Sequence, residues 1–152
     1  MFQSIVVGTD GSATAAEAVR RAQTLAGAFA ADLHVVSAYQ CPAAVLAAGA
    51  DPGCSPRAFV EWDAAARDHV SGLLDGLAGE LTGTGASVTT YAVPAHPAAA
   101  ILSVADEVHA DLIVVGNRGM RGARRMLGSI PNHVSHHAAC DVLVVDTVDS
   151  LG

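Results

Sequence analysis

The run "DLIVVG" at 111–116 constrains this chain more than any other stretch. Its apolar residues follow one another without the polar alternation of a half-exposed strand, so a strand built from it needs cover on both faces. Four more short runs share its β-branched character: "SIVVG" (4–8), "LHVVSAY" (33–39), "ASVTTYAV" (86–93) and "DVLVVD" (141–146). Between them lie longer Ala- and Leu-rich segments, read as helices over about 10–30, 57–82, 96–108 and 129–139. Strands alternating with helices predict parallel βαβ units in one open, doubly wound α/β sheet with helices on both faces.

Local signals refine these elements. Thr14 and Glu17 have capping-box spacing, and Gly27 falls near the end of the first helix. Phe59, Trp62, Ala66, Val70, Leu73 and Leu77 recur at near-helical spacing in the second. Pro97 opens the third helix, where a missing N–H does no harm. The Pro- and Gly-rich segment 40–57 reads as a long loop with room for a helical turn. No repeat is visible, and 152 residues fit one domain spanning 1–152.

Charge and composition narrow the function. A net charge of −7 and a pI near 5.3 argue against general binding of nucleic acid or anionic membranes. The apolar runs are too short to span a bilayer, and no secretory signal is apparent. Cys41, Cys54 and Cys140 lack a C-x-x-C spacing, so reduced thiols in a cytoplasmic protein are expected, with a Cys41–Cys54 bridge as the alternative.

In doubly wound sheets, ligands bind beyond the carboxyl ends of the strands where the strand order reverses. Three turns converge there: "GTDGS" after the first strand, "SAY" after the second, and "GNRGMRGARRMLGSI" (116–130) after the fourth. That window holds Arg118, Arg121, Arg124 and Arg125, half of the chain's eight basic residues. Gly116 and Gly119 permit close backbone approach, and Gly128 and Ser129 sit where the last helix should begin, with its free N–H groups facing an anion. Ser129 can cap that helix or bond a phosphate oxygen, and the window is equally readable as a solvated loop. Asp10 can accept from a ribose or merely turn the chain, and Ser12 can be a helix cap. His133, His136 and His137 share the last helix without an evident carboxylate or thiolate partner, so no metal site is assigned. No nucleophile elbow, zincin motif or paired-carboxylate arrangement is present, and no catalytic residue is assigned.

"IVVGTDGS", "LIVVGNRG" and "LGSIPNHVSHHAACDVLVV" together resemble the universal stress protein A family over nearly the whole chain. The resemblance implies a Rossmann-like fold with five parallel strands and a stress-response role without robust catalysis. It also implies ATP binding through a G-x2-G-x9-G-(S/T) motif, with Mg²⁺ or Mn²⁺ on the phosphates, and homodimers formed through the last strand, here Asp141–Asp146. Gly116, Gly119, Gly128 and Ser129 match the motif, with Arg118 inside it. Asp10 matches the aspartate that reaches the adenosine, Gly8 and Thr9 line the same turn, and Ala38 matches a backbone contact near the adenine. The sequence departs in two respects: "MRGARRML" puts eight residues between Gly119 and Gly128 where the motif has nine, and Ala95-His96-Pro97 stands where many relatives have a Gly-x-Pro turn. Two alternatives follow, a module that acts through its dimer surface without nucleotide, and a protein for another adenine nucleotide such as cyclic AMP. "GSIPNHVSHHA" resembles a mycobacterial-type subgroup in which cyclic AMP is implied for some members.

Overall fold

Every β-branched run becomes a strand in the computed structural model, which describes residues 1–40, 56–83, 85–117 and 129–147. The order is β1 (Ser4–Gly8), α1 (Ala13–Phe29), β2 (Asp32–Tyr39), α2 (Pro56–Leu81), β3 (Val88–Pro94), α3 (Pro97–Glu107), β4 (Leu112–Gly116), α4 (Ile130–His137) and β5 (Asp141–Val145). All pairings are parallel, in the order β3-β2-β1-β4-β5, so this is the doubly wound, Rossmann-like sheet that the sequence predicts. Most of the loop expected at 40–57, with Cys41 and Cys54, lies outside the described residues.

β4 shows why the continuous apolar run matters. Leu112 and Val114 enter one buried cluster with Ile5, Val7 and the α1 alanines Ala18, Ala22 and Ala26. Ile113 and Val115 enter the other, with Val6, Val36 and the α3 residues Ile101 and Val104. Both faces of one strand are therefore core, and α1 with α2 covers one side while α3 with α4 covers the other. Alanine on α1 lets that helix lie close to the sheet, so β1 and β4 are sealed without aromatic bulk.

Helix ends depart from the sequence reading. The Thr14–Glu17 capping box does not form. Ser12 takes the N-cap, its Oγ accepting from the Ala15 N–H at 3.2 Å. The preceding turn decides this: Gly11 stands at φ +77°, and Asp10 Oδ1 accepts from the Ser12 N–H at 2.9 Å, so the helix starts directly behind Ser12. Glu17 is buried instead and turns its carboxylate to Arg20 and Arg21, whose guanidinium groups lower its pKa in that order. At the other end Ala30, not Gly27, adopts the left-handed conformation at φ 53°. α4 is shorter than predicted and closes at His137.

The amino-terminal end of the sheet is tied by Asp111. Its Oδ2 accepts from the Gln3 N–H at 2.7 Å and the Ser4 N–H at 3.0 Å, and these bonds hold its carboxyl below the ordinary aspartate range. A carboxyl with a depressed folded pKa contributes stability that is fully present above its unfolded value of about 4, and is lost as pH falls through the folded pKa. Urea unfolding of Asp111→Asn should therefore show a shallower loss of stability than the wild type as pH falls below about 4. Parallel acid limbs would remove Asp111 from the account.

Candidate functional site

The strand order reverses between β1 and β4, and the carboxyl ends of these two strands open into a cavity of about 220 Å³. Gly8 and Gly116, the last residues of the two strands, both line it. Each glycine keeps its wall thin. A Cβ at Gly8 would stand 2.5 Å from Ile101 Cδ1, and one at Gly116 would stand 3.1 Å from Thr147 Cγ2. Val36 and Ala38 of β2 supply an apolar flank, and α3 closes the opposite side with Pro97 and Ile101.

The polar rim comes from the turn after β1. Thr9 stays in register, its N–H donating to the Val36 carbonyl at 2.8 Å, and its Oγ1 accepts from the Gly11 N–H at 3.2 Å. Asp10 is exposed and shapes the turn through the Ser12 N–H, yet it also lines the cavity. Ser12 and Thr14 add hydroxyls 3.0 Å apart on the same rim. The two sequence readings of Asp10 are thus compatible in space: one carboxylate turns the chain and borders the cavity.

On the β4 side, α4 points its first turn at the cavity, with Ile130 and Pro131 in the wall and Ser129 one residue before them. Ser129 is the N-cap, its Oγ accepting from the Asn132 N–H at 3.4 Å. The His133 N–H donates to the Ser129 carbonyl at 3.0 Å, and Pro131 has no N–H to offer. Among the described residues that leaves the N–H groups of Ser129 and Ile130 for an anion at this helix end. Arg118, Gly119 and Gly128 lie outside the described residues.

The histidines take other roles. His133, His136 and His137 are exposed on α4, where the rings of His133 and His137 stack at 4.2 Å. His137 Nδ1–H donates to the His133 carbonyl at 2.9 Å, which engages that ring within the last turn. His34 lies beside the Tyr91 hydroxyl at 3.1 Å, and burial lowers its pKa. Among the described residues no three His, Cys, Asp or Glu side chains are grouped to hold a metal ion. No described helix is long and apolar enough to cross a membrane.

The pattern of the universal stress protein family (Usp) matches residues 1–146. The chain belongs to this family. A universal stress protein of Mycobacterium tuberculosis strain H37Rv is 37% identical, the match covering 96% of this chain and 97% of that protein. The crystal structure of a universal stress protein in complex with cAMP superposes with a TM-score of 0.71 at 33% identity, covering 96% of this chain and 98% of that one. The fold is also shared with universal stress protein UspA from Lactobacillus plantarum, at TM-score 0.74 and 24% identity, over 94% and 97% of the two chains.

Within this universal stress protein, five of the residues singled out from sequence meet at one cavity: Gly8, Thr9, Asp10, Ala38 and Gly116. Sequence reasoning missed Ile101, Pro97 and Thr147, which arrive from α3 and from the chain behind β5. Thr147 had a usable signal. It follows the last strand at the same end of the sheet as Gly116, and a polar residue there faces the ligand end by topology.

Proposed function

We propose that this protein binds an adenine nucleotide in the cavity between β1 and β4 and acts as a homodimeric, cytoplasmic stress-response protein of one domain over 1–152, non-enzymatic or hydrolysing ATP only very slowly. The observation that carries the reading is the cavity itself, bounded by two side-chain-free strand ends at the reversal of strand order. Its residues fit the parts of a nucleotide. Val36 and Ala38 offer an apolar flank for a base, Asp10 an acceptor for ribose hydroxyls, and the first turn of α4 donors for phosphate. At about 220 Å³ the cavity is smaller than the roughly 300 Å³ at which drug-sized pockets begin. Such a volume suits base and sugar, with phosphate at the rim beside Ser129; Arg118, Gly119 and Gly128, which the resemblance adds to the phosphate site, lie outside the described residues.

ATP, with Mg²⁺ or Mn²⁺ on its phosphates, is the first reading and rests on the resemblance of Gly116, Gly119, Gly128 and Ser129 to the G-x2-G-x9-G-(S/T) motif, although the Gly119–Gly128 spacer is one residue shorter than that motif. Cyclic AMP is the second reading, and the first turn of α4 favours it. With Pro131 lacking an N–H and Asn132 engaged by its cap, the donors there suit one phosphate better than three. The relative solved with cAMP supports the same reading. Isothermal titration with ATP, ADP, AMP and cyclic AMP, each with and without Mg²⁺, separates them. Tightest binding of ATP supports the first reading and tightest binding of cyclic AMP the second. Absence of binding by all four would leave an interaction module without nucleotide.

The dimer is proposed through β5, an edge strand of the sheet. Leu143 points out of it at 39% exposure, and an apolar edge of this kind is a template for pairing with a second chain. Leu143→Lys should therefore convert a dimer to a monomer in sedimentation velocity without lowering the unfolding midpoint of the monomer. A dimer that persists in the variant would move the interface elsewhere.

A further inference from the structure

Asn117 makes more hydrogen bonds than the end of a strand requires. It is the first residue beyond β4, and its N–H donates to the Val145 carbonyl at 2.9 Å, extending the β4–β5 ladder by one step. Its side chain then reaches two residues further. Nδ2 donates to Asp146 Oδ1 at 2.7 Å, while Oδ1 accepts from both the N–H of Thr147 at 3.1 Å and its Oγ1 at 2.9 Å. One residue thus holds three consecutive residues of the chain leaving β5.

β5 is the last strand of the sheet, and a segment leaving an edge strand is free to run outward. Thr147 is instead 1% exposed and forms part of the cavity wall, its methyl set against Gly116 where a Cβ would stand 3.1 Å away. A buried threonine hydroxyl needs a partner, and Asn117 Oδ1 provides it. The amide is suited to this post because one end donates to a carboxylate while the other accepts twice.

We propose that Asn117 is a positioning residue for the ligand cavity, acting through Thr147. It folds the chain behind β5 across the Gly116 side of the cavity and fixes the wall against which the ligand packs. The inference rests on the adenine-nucleotide reading above and adds a residue and a segment to it. It also makes the ligand site continuous with β5.

The test exploits the direction of the Asn117–Asp146 bond. Asn117→Asp keeps the shape and both acceptor functions toward Thr147, but sets two carboxylates across the gap that Nδ2 now bridges at 2.7 Å. Two carboxylates at that distance cannot both ionise comfortably, so one takes up a proton well above the ordinary carboxyl range. At about pH 7.5 the variant should bind nucleotide roughly tenfold more weakly than wild type, the equivalent of about one net hydrogen bond. At about pH 5 a shared proton restores an O–H···O bond, and the ratio of variant to wild-type affinity should return toward unity. A purely structural lesion would leave that ratio unchanged between the two pH values, and this result would overturn the proposal. Thr147→Val and Thr147→Ser provide the second arm, read on protein shown to be folded by circular dichroism. Valine, which drops the Oγ1 bond, should weaken binding several-fold, roughly what one lost hydrogen bond accounts for, and serine should not. Equal affinities for the two would also overturn the proposal. If wild type binds none of the four nucleotides, the underlying reading fails first and the ligand role of Asn117 falls with it. That outcome is distinct from a binding wild type whose variants are indifferent.

Discussion

Ile5→Ala is expected to lower folding stability by about 2–5 kcal/mol, and toward the upper half of that range. Ile5 is fully buried in β1, the middle strand of the sheet, between Leu33 on one side and Leu112 on the other. Large-to-small substitutions cost least where neighbours can move into the space. Here that movement is restricted. The backbone is held by ladders on both edges, and α1 contributes Ala18, Ala22 and Ala26 to the cluster, whose methyls cannot extend into a cavity, beside the larger Val19 of α1 and Leu74 and Leu81 of α2. At roughly 2–4 °C per kcal/mol for a chain of this size, the melting temperature should fall by about 10 °C. Val60→Ala is the matched control, because Val60 is 70% exposed on α2 and its truncation should stay within about 0.5 kcal/mol. A loss under about 1 kcal/mol at Ile5 would mean that the alanine-rich layer yields after all.

The same rigidity explains which parts of the molecule could be read in advance. "DLIVVG" could be interpreted without tertiary information because burial on both faces leaves a signature in every residue of the strand. From it and its four companions the sheet, its parallel sense and the ligand end follow together. Helix boundaries do not follow in this way. Thr14 and Glu17 satisfy a local rule, but the Asp10–Gly11 turn ahead of them fixes where the helix begins, and so Ser12 takes the cap. Ala30 accepts a left-handed conformation that sequence would assign to glycine, since buried Ala26 and Ala31 fix both sides of the turn. The site divides along the same line. Gly8, Thr9, Asp10 and Gly116 sit at strand ends, where the chemistry of the turn is local and visible. Thr147 is brought in by a hydrogen bond to Asn117, 30 residues away in the chain. Ile101 reaches the cavity only through the way α3 lies on the sheet. No periodicity encodes either contact.

Gly8→Val should weaken nucleotide binding by about 100-fold or more, the equivalent of roughly 2.7 kcal/mol, while the protein remains folded. Gly8 does not occupy the left-handed region, so a side chain there meets no backbone penalty and the effect is one of space. The new Cβ would stand 2.5 Å from Ile101 Cδ1 and 3.1 Å from its Cγ1. Ile101 is 4% exposed and packed among α3, β1 and β4 residues, so the direction open to it is into the cavity that it lines. The valine methyls enter the same space from the strand side. Two side chains then compete with the ligand for about 220 Å³. Overpacking of this kind costs about 1–3 kcal/mol of stability, which urea unfolding will report separately from affinity. Gly79→Ala is the control, as nothing lies within 4 Å of a Cβ there, and alanine in an exposed helix should stabilise by about 0.5–1 kcal/mol without touching the site. Titration of all three proteins with ATP and with cyclic AMP decides the matter. An affinity for Gly8→Val within about twofold of wild type, with folding intact, would mean that the ligand does not pack against the end of β1. Loss confined to one of the two nucleotides would instead assign the Gly8 wall to the part in which they differ, the phosphate.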